Sequence, residues 1–179
     1  MKILMLIDSL DVGGAESHVE TLADGLSALG CEVVVASAWG KTAEKIAQNG
    51  IKWLPLPSFC SKMMPNPIKI IKIKNLIDRY SKEQAPDIVH AHTRMTALLA
   101  RPACKKRKIP LVTTAHALFS MKFPKNHLST WGDATICVSE DIAHHLQKHS
   151  PTPPQNVKII RNGIKKRQVN PAVFYFNIK

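Results

Sequence analysis

An apolar run that ends on two glycines, followed at once by a helical stripe, decides how this chain can begin to fold. Ile3 to Ile7 reads as a buried strand, and Ala15, Val19, Leu22, Ala23, Leu26 and Leu29 recur at the three- and four-residue steps of an amphipathic helix. Gly13-Gly14 therefore sits where a strand hands over to the N-terminus of a helix. That end carries unpaired N–H groups and a partial positive charge, and glycine lets an anion approach the backbone closely. Two readings stay open: a turn that takes a phosphate or diphosphate, or a tight connection that needs glycine for geometry alone. Glu16 lies in the first helical turn, where capping accounts for it.

The same alternation runs through the chain. Gly30 suits the end of the first helix, and the β-branched Glu32 to Ser37 reads as a second strand. A short helix over Thr42 to Gln48 ends at Asn49-Gly50, and Ile51 to Leu54 makes a third strand. Pro55 to Pro67 reads as an exposed apolar loop, and Ile68 to Glu83 as a helix with isoleucines against Lys69, Lys72, Lys74, Arg79 and Lys82. Further strands are expected at Ile88 to His92, Leu111 to Ala115, Ala134 to Val138 and Val157 to Ile160. Helices are expected at Met95 to Lys106 and from a Ser139 cap to Lys148. Strands joined through helices form right-handed crossovers, so the sheet is parallel. The expectation is an α/β, Rossmann-like doubly wound sheet, which binds ligands beyond the carboxyl ends of its strands. Gly13-Gly14, His90 with His92, His116 and Ser139-Glu140 all fall at those ends.

The 179 residues suit one domain, with 25 basic against 13 acidic residues and a net charge of +12. Such an excess favours anionic partners without choosing among nucleic acid, anionic lipid and phosphorylated ligands. Cys31, Cys60, Cys104 and Cys137 show no paired spacing for zinc or redox work, and Cys137 reads as a small core residue. No run approaches the roughly 18 apolar residues of a membrane span. The expected location is cytoplasmic, with a peripheral place on the inner membrane face as an extension. His90 and His92 are expected on opposite faces of their strand, at least one as a hydrogen-bonded structural histidine. A metal site on that pair is not expected, because no third ligand has suitable spacing. Ser139 is first a helix cap, and Glu140 favours a helix N-terminus.

Six stretches in order resemble one family. They are Gly13-Gly14-Ala15-Glu16, Leu26 to Val33, Pro86-Asp87-Ile88-Val89-His90-Ala91-His92, Val112-Thr113-Thr114-Ala115-His116, Val138-Ser139-Glu140 and Asn162-Gly163-Ile164. Together they resemble the N-terminal, acceptor-side domain of family 4 (group 1) retaining glycosyltransferases, one half of a GT-B architecture. The resemblance implies transfer of a sugar from a nucleotide-sugar donor to an acceptor hydroxyl, on a glycan or lipid-linked acceptor, with retention and without a metal or other cofactor. It implies that Gly14, beside Gly13, offers backbone N–H to the donor diphosphate. It also implies that His116 is catalytic and faces the reacting sugar, and that Glu16, His90, His92, Ser139 and Glu140 line the cleft.

Residues 1–161 are expected to form this domain, and 162–179 a linker and the start of a further domain or an unrelated tail. Lys165 departs from the acidic residue usual after the Asn-Gly motif, with Val169 and Pro171 at the matching later places. The donor-side half is not in this sequence, so the chain alone is expected to be inactive, with a separate donor-binding domain as a partner. The basic Ile68 to Glu83 helix suggests an anionic membrane surface as another. A nicotinamide-dinucleotide domain is disfavoured: the third glycine is missing after strand one, and Ser37 stands where strand two should end on an acid. Nucleic acid is not expected, since the basic residues are spread without a reading motif. A non-catalytic module for an anionic ligand remains the alternative.

Overall fold

The computed structural model describes residues 1–58, 67–118, 131–150 and 152–163. Strands β1 (Lys2–Ser9), β2 (Glu32–Ala38), β3 (Lys52–Pro55), β4 (Ile88–Ala91), β5 (Leu111–Ala115), β6 (Ala134–Cys137) and β7 (Val157–Ile159) alternate with helices. The helices are α1 (Gly14–Ala28), α2 (Lys41–Gln48), α3 (Pro67–Gln84), α4 (Arg94–Arg107) and α5 (Glu140–His149). All strands pair in parallel, in the order β3-β2-β1-β4-β5-β6-β7. The fold is the Rossmann-like doubly wound sheet that the alternation predicts.

Side-chain alternation on β1 sorts the core into two layers. Ile3, Met5 and Ile7 join Val33, Val35, Val19, Ala23 and Ile46 under α1 and α2. Leu4 and Leu6 join Val34, Ala36, Val89, Ala97, Ile73 and Ile77 under α3 and α4. Local chemistry ends the helices where expected: Gly30 and Gly50, past α1 and α2, take the left-handed conformation at φ 80° and 78°. Cys104 and Cys137 are buried. The loop after β3 begins differently from its reading as exposed. Leu56 is buried and donates its N–H to the Ser37 carbonyl at 2.8 Å, because the chain keeps following β2 past the end of the strand. Residues 59–66, with Cys60, lie outside the described residues, as do the segment 119–130 and everything after 163.

Strand order reverses between β1 and β4. Neighbouring connections leave in opposite directions there, and a crevice opens beyond the strand ends. The loop after β1 is held from the far side by α2. Thr42 donates its N–H to the Leu10 carbonyl at 2.8 Å and its hydroxyl to the Asp11 carbonyl at 2.7 Å. Gly40 makes this approach feasible, since a Cβ there would collide with the backbone of Leu10 and Asp11. On the other side of the crevice, Thr93 caps α4 by accepting from Thr96 N–H at 3.2 Å, and donates its hydroxyl to Asp8 at 2.6 Å. The ends of β1 and β4 are thus tied together by side chains as well as by the ladder.

Candidate functional site

Gly13 and Gly14 enter the crevice as the cap and first residue of α1. Gly13 is extended, at φ 178° and ψ 174°, a conformation open to any residue. Neither glycine is among those with positive φ. A Cβ on Gly13 would meet only the flexible Glu16 carboxylate, and a Cβ on Gly14 would have nothing within 4 Å. Backbone geometry alone therefore does not require glycine at 14, and the space beside it is open. Glu16 folds back toward Gly13 without forming a side-chain cap hydrogen bond.

One helical turn beyond Gly14, His18 projects from α1 into a group of histidines gathered from β4 and β5. His90 and His92 lie on the same face of the sheet, their rings 4.2 Å apart, which corrects the expectation of opposite faces. Alternation has a period of two, so residues i and i+2 share a face. His90 is buried inside β4 and bonds Thr114 Oγ1 through Nε2 at 2.8 Å. His92, just past the strand, is 2% exposed. Its N–H continues the ladder to the Leu6 carbonyl at 2.8 Å, and its Nδ1 stands 3.2 Å from His116 Nε2. His18 meets His116 edge-on at 5.0 Å between ring centres and His92 at 5.6 Å.

Burial sets the charge state of this group. Desolvation, reinforced by the neighbouring His18 and His116, pushes His90 down to about 3. His116 falls to about 4 through burial and then His18. Burial first, and then the surrounding imidazoles, hold His92 well below its ordinary value, and burial alone lowers His18. Four neutral imidazoles therefore line the crevice at pH 7, each able to donate one hydrogen bond and accept another. The atoms of His18, His92 and His116 that can ligate a metal all lie within 4.8 Å of one another. This group takes only His92 from the His90–His92 pair, and its other two members come from remote parts of the chain.

The remaining predicted residues serve α5. Ser139 caps it by accepting from Ile142 N–H at 3.3 Å, and Glu140 pairs with Arg161 at 3.0 Å, both side chains largely exposed. His18 was not read from the sequence as a site residue. The available signal was its spacing of four from Gly14, which puts both on one helix face at the mouth of the turn. Asp8 and Thr93 were missed as a pair because their contact spans 85 residues.

No curated protein sequence matches the chain. Among solved structures, a glycosyltransferase from Rickettsia africae is 23% identical with a TM-score of 0.73, over 91% of this chain and 43% of its own. HepE of Anabaena, crystallised with UDP-glucose, is 20% identical with a TM-score of 0.69, over 92% and 44%. The lipopolysaccharide outer core galactosyltransferase WaaB is 20% identical with a TM-score of 0.67, over 94% and 48%. The chain spans less than half the length of these proteins, and the sheet described above is the fold of one half of a GT-B enzyme. A Glycosyltransferase Family 4 profile matches residues 12–168, which include the glycine turn and all four clustered histidines. The chain belongs to Glycosyltransferase Family 4.

Proposed function

We propose that this domain is the acceptor-side half of a retaining glycosyltransferase that moves a sugar from a nucleotide-sugar donor to a hydroxyl of a glycan or lipid-linked acceptor. The observation that carries the reading is Gly14: a glycine at a helix N-terminus, in ordinary backbone geometry, beside open space at the switch point of the sheet. Its N–H meets the donor diphosphate from across the cleft. His116, neutral and half-buried at the end of β5, faces the reacting sugar and hydrogen-bonds a hydroxyl there. His92, against His116 Nε2, fixes the orientation of that ring. His90, Glu16, Ser139 and Glu140 complete the cleft wall.

Transfer of this kind rests on positioning and charge stabilisation between two closed domains, and it takes no metal in the chemical step. A donor-binding domain, in the same or a separate chain, supplies the other wall, and residues 1–163 alone turn over no sugar. Calorimetric titration with UDP and UDP-sugars, beside Gly14→Val, tests the reading. Weak diphosphate binding that the variant loses supports it. Equal binding by both proteins would remove Gly14 from the donor site.

A second feature favours a membrane-surface acceptor. Ile68 and Ile71 are 64% and 58% exposed on α3, each followed by a lysine (Lys69 and Lys72), while Ile73 and Ile77 of the same helix are buried. Such a face suits an anionic headgroup layer. Among the described residues no helix is long and apolar enough to cross a membrane. Equal binding to neutral and anionic vesicles would exclude this placement.

A further inference from the structure

His18, His92 and His116 come from α1, the end of β4 and the end of β5, and their ring centres form a nearly regular triangle with sides of 5.0, 5.5 and 5.6 Å. Three imidazoles on one tetrahedral ion, bonded at about 2.0–2.1 Å, keep their ring centres roughly 5 Å apart and their ligating nitrogens about 3.3 Å apart. His92 Nδ1 and His116 Nε2 already stand at 3.2 Å. The other ring nitrogen of His92, Nε2, is buried without a hydrogen-bond partner among the described residues. Among the described residues, His92 thus has no ring nitrogen committed to a group outside the cluster. His90 is different, since its Nε2 is engaged by Thr114.

We propose that His18, His92 and His116 bind one divalent transition-metal ion of the imidazole-preferring class, such as Zn²⁺, Co²⁺ or Ni²⁺. Imidazole ligates in its neutral form, through one nitrogen from each ring. His18 and His116 are only half-buried, so the ion has a path from solvent. Three nitrogens leave a fourth tetrahedral position for water or an oxygen of a bound molecule. The proposal rests on the three rings alone and not on the transferase reading. If both hold, the metal occupies the place of the sugar that His116 faces, and metal-loaded and sugar-bound forms exclude each other.

The test uses the full chain, stripped with a chelator and titrated with Co²⁺, whose visible absorption is strong in tetrahedral sites and weak in octahedral ones. The parent should saturate at one Co²⁺ per chain, and Zn²⁺ should bleach the band. His18→Ala and His116→Ala, each checked for folding by circular dichroism, should lose at least the roughly 10–100-fold in affinity that even outer-shell partners of a metal site are worth. His145→Ala is the control, because His145 and His149 form a pair one turn apart on α5, with ring centres at 4.8 Å. Absence of the tetrahedral band, its survival in both cluster variants, or its loss in His145→Ala would overturn the proposal. Failure of UDP binding would leave this result untouched.

Discussion

Gly40 and Gly14 face opposite demands, and substituting each by alanine should separate packing from function. A Cβ on Gly40 would run into the Leu10 carbonyl and the Asp11 nitrogen, backbone atoms that no rotamer change can move. Restoring ordinary contact requires the loop to retreat by about 1 Å. Leu10 is fully buried, so its side chain must move with it, and both Thr42 hydrogen bonds to the loop stretch. Overpacking costs about 1–3 kcal/mol and each of the two weakened hydrogen bonds about 1 kcal/mol, so Gly40→Ala should lose about 3–5 kcal/mol. Gly14→Ala adds its methyl to open space at a helix start, and should change stability by less than about 0.5 kcal/mol or raise it. Urea unfolding reads both. With a slope of about 2 kcal/mol/M, the Gly40 variant should unfold about 1.5–2.5 M earlier and the Gly14 variant near the parent. A Gly40→Ala midpoint equal to the parent's would refute the claim that this contact fixes the loop.

Thr93→Val removes the α4 cap and the bond to Asp8, and should cost about 1–2 kcal/mol by urea unfolding. Ile73→Ala, on the buried side of α3, should cost about 2–5 kcal/mol, whereas Ile71→Ala on the exposed side should stay within about 0.5 kcal/mol. Burial, with Asp133 adding, pushes the Cys104 thiol up to about 11 from 9.0. The folded state therefore holds that proton more tightly, so its contribution is complete below pH 9 and is lost as pH rises toward 11, about 1.4 kcal/mol by pH 10. Cys104→Ala should flatten that part of the stability-versus-pH curve, and an unchanged slope would exclude the thiol as its source.

The fold was legible because its signals are local. Gly30 and Gly50 mark helix ends that need positive φ, Ser139 caps α5 by its own hydroxyl, and each apolar run is short and bounded. The histidine cluster was only partly legible. Its members at 92 and 116 stand at strand ends and drew attention as such, but their meeting depends on β4 and β5 being neighbours, which no local pattern states. His18 looks like any polar residue on a surface helix until α1 is laid over the sheet. The misplacement of His90 relative to His92 was of another kind, since the period of two alone puts both on one face.

β1 lies inside the sheet and comes before the other six strands in the chain, and this orders their assembly on the ribosome. The chain builds outward from β1 through β2 to β3, then crosses by α3 to the other side of β1 and builds outward again to β7. Each new strand lands on an edge already in place. Until β4 arrives, a nascent chain shows the bare edge of a five-residue apolar run, Ile3 to Ile7, which is a template for pairing with other chains. The glycine turn and His18 emerge on the first side and wait for His92 and His116 from the second. A translation product stopped before residue 88 would therefore carry half a crevice and an open strand edge, and aggregation rather than partial function is its expected fate.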